Sequence, residues 1–413
     1  MNHGQSVDVI IVGGGIAGSS LAANLAENGL SVEVLEREVE FVDRVRGEWM
    51  APWGVAETKM LGVYDKFMAA GGHHVTKAIN YDELLTPAQA EANTTQIAKL
   101  HPNAPGALCM EHVAMQNSAL QHAIECGVVV NRGIKDVAID AGSRPIVTYT
   151  DAGTEIERRC RLIVGADGRS STVRRQLGLK LDEHEIDHLI SGLLIDGARD
   201  WPSDVQSVGK AGEVMYLVFP QGDGKIRLYV DYSLTERGTY TGEQGARNML
   251  KAFDTPYLRG GQHISEANPI GPCRAFPSQD ASLDDPFVEG AVLIGDAAGY
   301  TDPIFGQGLS IALRDARIVR DQLLENDEWS VGTFAAYGAE RNERMRRIMR
   351  ATHFGTTLFA RFDQHGVETR ARAMQRMAQE PELNGLIGAV FSGPETVPAE
   401  YFTDEFYDRV FAP

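Results

Sequence analysis

The sequence has few cysteines, an excess of acidic over basic residues, and no long apolar run. Its four cysteines, Cys109, Cys126, Cys160 and Cys273, form no CxxC pair, which argues against a disulfide scaffold and a zinc site. The net charge of −18 argues against nucleic acid or an anionic membrane as the main partner. No stretch approaches the roughly 18 apolar residues of a membrane span. We therefore predict a cytoplasmic monomer or homodimer with reduced thiols and no bound metal.

The first 36 residues combine an apolar strand, a glycine-rich turn, a helix and a second strand. Residues 7–12 are typical of a buried parallel strand, and Gly13, Gly15 and Gly18 follow with the spacing GxGxxG. Gly13 permits a tight turn, Gly15 lets a pyrophosphate approach the backbone, and Gly18 allows close helix packing. Glu36 ends the second strand, where a carboxylate accepts hydrogen bonds from a ribose diol and repels a 2′-phosphate. This pattern predicts the adenosine half of FAD or NAD, and not of NADP.

Two further clusters follow the same plan of an apolar strand that runs into a polar turn. Residues 162–174 read LIVGADGRSSTVR, in which Asp167 and Gly168 lie between a strand and a helix start. Residues 291–310 read AVLIGDAAGYTDPIFGQGLS, and a helix is predicted from there to about residue 324. Asp296 at a strand end can accept hydrogen bonds from a polyol. The positive N-terminal end of the following helix would face the group that this polyol carries.

Taken together, the three clusters resemble the FAD-dependent group A monooxygenases, the para-hydroxybenzoate hydroxylase family. The resemblance covers roughly residues 5–340, and residues 219–224 with Arg227 are similar to the middle sheet of that family. It implies that NADH or NADPH reduces bound FAD, and that O2 then forms a flavin C4a-hydroperoxide. That species would hydroxylate or epoxidise an aromatic or polyketide-like small molecule. The chain departs from the family where Gly299 and Tyr300 replace a histidine, and where the helix around residues 115–120 lacks an arginine in its first turn.

The resemblance implies an α/β fold: a Rossmann-like FAD-binding domain with an inserted antiparallel β-sheet substrate domain and a C-terminal helical segment. We expect one face of the inserted sheet to pack on the FAD domain and the other to be solvated. The arginines after Phe334 are predicted to form a solvated helix face, followed by two further helices. The predicted segments are 1–72, 109–180 and 273–340 for FAD binding, 73–108 and 181–272 for the substrate domain, and 341–413 for the C-terminal helices.

Candidate site residues follow from these motifs. Pro303, Ile304, Phe305 and Gly306 form a stiff apolar loop at the flavin, which suits the exclusion of water. A substrate pocket is predicted at Tyr216, Phe219, Arg227 and Tyr229, with a purely structural role for each as the alternative. No catalytic base is identified, although Tyr216, His73 and His74 are candidates. Arg46 is preferred to Arg44 as an FAD contact. The predicted cofactor-binding residues are Gly13, Gly15, Ile16, Ala17, Gly18, Glu36, Arg37, Arg46, Asp167, Gly168, Gly295, Asp296, Pro303, Gly306, Gln307, Gly308 and Leu309.

Three other functions remain open at the level of sequence. A flavin-dependent halogenase has the same fold, and Lys77 would supply its amine, but the Trp-x-Trp-x-Ile-Pro motif is missing. A flavin reductase or dehydrogenase would act on its substrate without inserting oxygen. A non-catalytic dinucleotide sensor would bind the cofactor but consume no NAD(P)H.

Overall fold

The computed structural model describes residues 6–412, and its strands belong to two large and two small sheets. The strands are β1 (Val7–Val12), β2 (Val32–Glu36), β3 (Trp49–Met50), β4 (His73–Val75), β5 (Lys77–Asn80), β6 (Thr95–Gln96), β7 (Ala107–Cys109), β8 (Val129–Arg132), β9 (Lys135–Asp140), β10 (Ile146–Asp151), β11 (Thr154–Gly165), β12 (Asp182–Glu183), β13 (His188–Asp196), β14 (Val205–Ala211), β15 (Val214–Gly222), β16 (Lys225–Ser233), β17 (Asn268–Pro269), β18 (Arg274–Ser278), β19 (Ala281–Ser282), β20 (Phe287–Val288) and β21 (Ala291–Leu293).

Helices cover both sheets and form the C-terminal part of the chain. The α-helices are α1 (Ile16–Glu27), α2 (Pro52–Met60), α3 (Tyr64–Ala69), α4 (Pro87–Ala92), α5 (His112–Glu125), α6 (Thr172–Gln176), α7 (Gly242–Ala252), α8 (Gly261–Ser265), α9 (Gly308–Glu325), α10 (Val331–Phe359), α11 (Gln364–Gln379), α12 (Gly385–Ser392) and α13 (Asp404–Phe411).

The central sheet has the order β20-β21-β11-β1-β2-β8, and all neighbours except β20 and β21 pair in parallel. Its strands are apolar because helices cover them: α1, α5 and α9 contribute to one continuous core with β1, β2 and β11. β11 also pairs with β10 in an antiparallel meander before it enters the parallel sheet. The predicted α/β fold is confirmed, with β1, β11 and β21 side by side.

The inserted sheet has the order β17-β13-β16-β15-β14-β5-β6, with β18 also paired to β13. It therefore includes β5 and β6 from the predicted segment 73–108, and β18 extends it beyond residue 272. The expectation that one face is solvated is wrong. Leu228 and Val230 of that face pack with Met249 of α7 and Ile264 of α8 in a separate buried core. These helices lie within residues 181–272, which were predicted to form an antiparallel sheet.

The C-terminal segment also differs from expectation. Arg341 and Arg344 of α10 are 0% and 3% exposed, so the prediction of a solvated arginine face is wrong for these two residues. Three α-helices, and not two, follow α10 within the described chain. Within residues 6–412, no helix is both long and apolar enough to cross a membrane.

Candidate FAD and substrate site

Three loops meet at the carboxyl ends of neighbouring parallel strands. Val12 of β1 lies opposite Gly165 of β11, and Gly165 lies opposite Leu293 of β21. The loops that follow are joined by further contacts, since Arg174 donates a 2.9 Å hydrogen bond to the carbonyl oxygen of Ala297. The structure therefore brings the three sequence motifs to one edge of the sheet, where ligands of α/β proteins usually bind.

The glycine turn has the geometry expected of a phosphate-binding loop. Gly13 has a φ of +110°, and a Cβ at Gly18 would lie 2.1 Å from the carbonyl oxygen of Gly13. At Gly15, by contrast, a Cβ would have no atom of residues 6–412 within 4 Å. Helix α1 begins at the buried Ile16, and Ala17 follows in its first turn, with no side chain capping the helix. The free N–H groups and open space suit a pyrophosphate.

Glu36 lies at the end of β2 and is directed at the glycine turn. Its side chain is buried, and Oε2 accepts a 2.7 Å hydrogen bond from the N–H of Gly14 while Oε1 accepts one from Glu38. A carboxylate oxygen has more than one acceptor site, so these bonds leave capacity for a ribose diol. The neighbouring Arg37, which was also predicted to bind the cofactor, is exposed and pairs with Glu38. Its side chain is therefore not directed at the glycine turn.

Asp167 has a double role in the second loop. One carboxylate oxygen, Oδ2, accepts hydrogen bonds from the backbone and hydroxyl of Thr172 and from the N–H of Val173, and so caps α6. The other oxygen, Oδ1, is buried and has no partner in the described chain. Gly168 has a φ of +75° and open space around it. An unpaired buried oxygen is costly, so a cofactor hydroxyl or an N–H donor would suit this position.

The third loop places Asp296 next to two cations. Asp296 forms a 3.2 Å ion pair with Arg169, whose guanidinium lies 4.3 Å from the ring centre of Tyr300. Arg46 lies over the ring of Phe276, and desolvation together with the charge of Arg169 lowers its pKa. This cluster is positive overall beside the uncapped start of α1, which suits a diphosphate with its adjoining sugar alcohol.

The loop from Pro303 to Gly306 is held rigidly in place. Its first three residues form a 3-10 turn, with Ile304 buried and Phe305 partly exposed, and Gly306 follows with a φ of +62°. A Cβ at Gly306 would lie only 2.8 Å from Cε3 of Trp49, so a larger residue would not fit. The loop thus presents backbone and apolar side chains at a fixed distance from the neighbouring aromatic residues.

Gln307 fastens this loop with its side chain and does not extend it toward a ligand. Its amide oxygen accepts a 2.9 Å hydrogen bond from Trp53 Nε1, and its amide nitrogen donates to the carbonyl oxygen of Phe305. Helix α9 starts at Gly308 and has no side-chain cap, while Leu309 is buried. If Gln307, Gly308 and Leu309 contact FAD as predicted, their backbone N–H groups make the contact, because their side chains are engaged elsewhere or absent.

The sequence alone did not predict two residues of the site. Trp49 lies against Gly306, and a lone tryptophan gives no signal of such a position. His112 is the first residue of α5, where we looked for an arginine and found none. Its ring Nδ1 lies 3.0 Å from the carbonyl oxygen of Gly47, and burial lowers its pKa, with Asp296 and Arg46 among its charged neighbours. The helix was predicted around residues 115–120, and the structure shows that it begins three residues earlier, at His112.

The four predicted pocket residues lie on two different faces of the inserted sheet. Phe219 and Tyr229 face the FAD domain and belong to the same core as Trp49. Tyr216 lies on the opposite face, where its ring packs 5.6 Å from that of Phe253 and its hydroxyl donates to the carbonyl oxygen of Tyr81. The prediction that Tyr216 lines the pocket is wrong, because side chains alternate between faces along a strand.

Arg227 is a buried anchor between the inserted sheet and the FAD domain. Its Nη2 donates to Glu48 Oε1 at 2.6 Å and to Asp43 Oδ2 at 3.1 Å, and the hydroxyl of Tyr229 donates to Glu48. Although burial opposes the charge, the carboxylates of Glu48 and Asp43 raise the pKa of Arg227. The guanidinium is thus paired with protein carboxylates through Nε and Nη2, while Nη1 is buried with no hydrogen-bond partner among the described residues. The pairing favours the structural alternative for this residue.

The other candidate bases have partners of their own. His73 Nε2 lies 2.7 Å from the carbonyl oxygen of Ser203, and His74 Nε2 lies 2.9 Å from the hydroxyl of Tyr64. Each of the two imidazole rings therefore has its own hydrogen-bond partner in the protein. Lys77 forms a 3.1 Å ion pair with Asp204, and both side chains are about 40% exposed.

A buried group of ionisable residues lies directly behind the loop from Pro303 to Gly306. His188 Nε2 is 3.1 Å from Asp231 Oδ1 and 3.7 Å from Asp302 Oδ1, and Asp302 caps the 3-10 turn through the N–H of Ile304. Although burial opposes protonation, Asp302 and Asp231 raise the pKa of His188. Burial raises the pKa of Asp302 to about 6, and burial together with the charge of Asp302 raises that of Asp280 to about 7.

These raised pKa values predict that the protein loses stability as the pH rises from about 4 to about 7. The native state holds protons that the unfolded chain has already released in this range, so the free energy of unfolding falls with pH. We expect Asp280→Asn to flatten this slope by roughly 1 kcal/mol per pH unit, because one fully titrating group contributes about 1.4. Urea denaturation between pH 4.5 and 7.5 would measure it, with the exposed Asp285→Asn as control. Equal slopes for wild type and Asp280→Asn would contradict the prediction.

Removal of either strand-end carboxylate should weaken FAD binding. For Asp296→Ala we expect the dissociation constant of FAD to rise about ten- to a hundredfold, since hydrogen bonds to charged groups contribute about 1.5–3 kcal/mol. Glu36→Ala should have a similar effect and should also loosen the turn at Gly14. Quenching of flavin fluorescence measures the affinity, and Glu155→Ala, at an exposed position of β11, is the control. If both variants retain FAD as the wild type does, the assigned positions are wrong.

Comparison with known proteins agrees with this geometry. Residues 6–352 match the FAD binding domain family. The chain is 26% identical over 364 residues to a 1H-pyrrole-2-carbonyl-(peptidyl-carrier protein) chlorinase of Pseudomonas fluorescens, covering 80% of this chain and 79% of the relative. It is 24% identical over 387 residues to rifampicin monooxygenase of Streptomyces venezuelae, covering 91% and 76%. With squalene monooxygenase SE1 of Panax ginseng the identity is 27% over 342 residues. The match covers 78% of this chain but only 59% of that relative.

Solved structures share the fold over nearly the whole chain. A flavoprotein/dehydrogenase from Cytophaga hutchinsonii superposes with a TM-score of 0.75 at 17% identity, covering 94% of this chain and 93% of that one. A flavin-dependent brominase superposes with a TM-score of 0.74 at 18% identity, covering 98% of each chain. The family match over most of the sequence confirms the resemblance seen in the three motifs. The chain belongs to the FAD binding domain family and is an FAD-dependent enzyme of the group A monooxygenase type.

Proposed function

We propose that the protein uses NADH or NADPH and O2 to hydroxylate or epoxidise an aromatic or polyketide-like small molecule. FAD, when bound, supplies the redox and oxygen chemistry. The chain itself orients the cofactor through its three loops, places an apolar wall beside the loop from Pro303 to Gly306, and limits the access of water. The observation that carries the proposal is this aromatic wall at the flavin-facing loop.

The wall is built from residues of three separate parts of the chain. The ring of Trp49, which touches Gly306, lies 5.9 Å from the ring of Phe219 and 6.1 Å from that of Phe391 in α12. Tyr229 lies a further 6.1 Å from Phe219. Aromatic side chains pack favourably against flat apolar ligands, and a dry site strengthens electrostatic effects on the reacting atoms. These properties support an aromatic substrate beside the flavin.

The purified protein, loaded with FAD, provides the test. We expect NADH or NADPH oxidation in air to accelerate with at least one member of a panel of phenols and polyketide-like aromatics, and ¹⁸O from labelled O2 to enter the product. Trp49→Leu should impair product formation more than FAD binding, with Trp329→Leu, in the loop after the C-terminal end of α9, as the matched control. Product without label would favour a reductase or dehydrogenase, and no NAD(P)H consumption with any compound would favour a non-catalytic sensor.

Halogenation is the second candidate, because a chlorinase is among the relatives and a brominase among the structures with the same fold. Two observations argue against it. The residues before Pro220 read MYLVF, so they do not form the Trp-x-Trp-x-Ile-Pro motif of halogenases, and the amine of Lys77 is paired with Asp204. Reduced FAD, O2 and bromide or chloride offered together with the same panel distinguish the two reactions. A halogenated product that disappears in Lys77→Met would replace monooxygenation with halogenation.

A further inference from the structure

Three side chains with different ligand chemistry meet where the end of α1 lies against the end of α5. Cys126 Sγ lies 3.3 Å from Glu27 Oε1 and 3.6 Å from His122 Nδ1. His122 Nε2 lies 3.8 Å from Glu27 Oε1. The ligand atoms that these residues can offer all lie within 4.8 Å of one another. With Nε2 as the single imidazole ligand, the three separations are 3.3, 3.8 and 3.9 Å. They lie within a few tenths of an ångström of the roughly 3.3–3.6 Å between ligand atoms around a tetrahedral zinc ion with Zn–S of about 2.3 Å and Zn–N and Zn–O of about 2.0 Å.

The secondary structure accounts for the arrangement. His122 and Cys126 are four residues apart, His122 in the last turn of α5 and Cys126 as the residue that caps it, so they share one face of the helix. Glu27 is the last residue of α1, which packs against α5 in a common core. His122 is 7% exposed, Cys126 is half-buried and Glu27 is exposed, so an ion could reach the site from solvent.

We propose that Glu27, His122 and Cys126 bind one zinc ion, with a water molecule as the fourth ligand. Thiolate, imidazole and carboxylate together suit a borderline-soft divalent cation, and three protein ligands leave one open coordination position. On binding, the thiol of Cys126 loses its proton to solvent and its sulfur forms a bond to zinc, with no change of oxidation state. The two negative ligands then balance the charge of the ion.

The surroundings favour this choice of ligands. The neighbouring acid, Glu125, is already paired with Lys66 at 2.8 Å and accepts from Gln121, so it is not needed as a ligand. A bound zinc ion would place positive charge between the carboxylate of Glu27 and the sulfur of Cys126, which lie 3.3 Å apart.

The site is remote from the flavin and its role is structural. Glu27 lies at the opposite end of α1 from the glycine turn, about 18 Å away for twelve residues at 1.5 Å each. A zinc bridge would tie α1, whose first turn faces the proposed pyrophosphate position, to α5, which begins at His112. The sequence argued against zinc because it has no CxxC pair, and a ligand set contributed by two helices leaves no such signature.

Cobalt titration of the chelator-treated, FAD-loaded protein tests the site. Tetrahedral Co²⁺ with a thiolate ligand absorbs in the red, where oxidised flavin does not. We expect one equivalent of Co²⁺ to bind, to be displaced by Zn²⁺, and to bind at least tenfold more weakly in Cys126→Ser and His122→Gln. Zinc should raise the melting temperature of the wild type but not of these variants.

Controls separate this site from adventitious binding. Glu125→Gln and the exposed His263→Gln should bind Co²⁺ as the wild type does. Glu27→Gln changes only an exposed side chain, so it should fold even if a substitution at the half-buried Cys126 does not, and it should also weaken binding. Absence of the red absorption in the wild type, or its persistence in both Cys126→Ser and Glu27→Gln, would overturn the proposal. The proposed oxygenase reaction does not depend on this outcome.

Discussion

Asp315→Ala is expected to lower the free energy of unfolding by about 3–5 kcal/mol, the cost of breaking a buried ion pair. Asp315 in α9 is fully buried, with Oδ2 3.1 Å from Nε of Arg341 and Oδ1 2.7 Å from Nη2 of Arg344. Alanine would leave Arg341 without this carboxylate and Arg344 with Glu340 alone. Two buried guanidinium groups would then lack most of their compensating charge.

The same substitution should weaken FAD binding. Oδ2 of Asp315 accepts a 2.8 Å hydrogen bond from the N–H of Gly295, and Arg341 donates to the carbonyl oxygen of Gly299 at 3.0 Å. The buried group therefore holds both ends of the turn that carries Asp296. Loss of this support would let the turn move.

Denaturation by urea, with and without saturating FAD, measures both effects. Asp321→Ala in the same helix is the matched control, because Asp321 pairs with Arg317 and Arg320 where all three side chains are partly exposed, and its removal should cost less than about 1 kcal/mol. If Asp315→Ala unfolds at the same urea concentration as the wild type, the buried ion group does not stabilise the fold.

For Gly15→Val we expect at least a hundredfold loss of FAD affinity while the protein itself stays folded. Gly15 has a φ of −69° and a ψ of −174°, a conformation that any residue adopts, and a Cβ there would meet no atom of the described part of the chain. The valine side chain would instead occupy the space beside the first turn of α1, where we place the pyrophosphate. A hundredfold loss corresponds to about 2.7 kcal/mol.

Thermal denaturation of the FAD-free protein and titration with FAD separate the two properties. Gly332→Val is the matched control, since Gly332 lies exposed in the first turn of α10 and should leave both properties unchanged. Wild-type FAD affinity in Gly15→Val would mean that the pyrophosphate binds elsewhere. A large loss of stability in the FAD-free variant would mean that the space at Gly15 is not available to a side chain.

Local rules predicted the nucleotide half of the protein well. A run such as residues 7–12 is typical of a buried strand, and glycine at positions 13 and 18 suits a tight turn from a strand into a closely packed helix. These short-range requirements predicted a dinucleotide-binding unit for the adenosine half of FAD or NAD, and the resemblance of the three motifs to a known family implied FAD. Contacts between distant segments were not accessible in the same way, which is why Trp49 against Gly306 and His112 at the start of α5 were missed.

The errors share a physical cause. Tyr216 and Phe219 are three residues apart on one strand, and nothing local says which face turns toward the flavin. Arg341 and Arg344 are polar by composition, yet Asp315 from another helix makes their burial favourable.

The sequence by itself determined the cofactor class and the order of the strand-turn-helix units, because backbone conformation and burial along a strand depend on neighbouring residues. The tertiary structure alone decided which side chains share the aromatic wall, which charges are buried together, and that Glu27 meets His122 and Cys126. These features depend on how separate helices and sheets pack, and packing brings together residues whose separation in sequence carries no pattern.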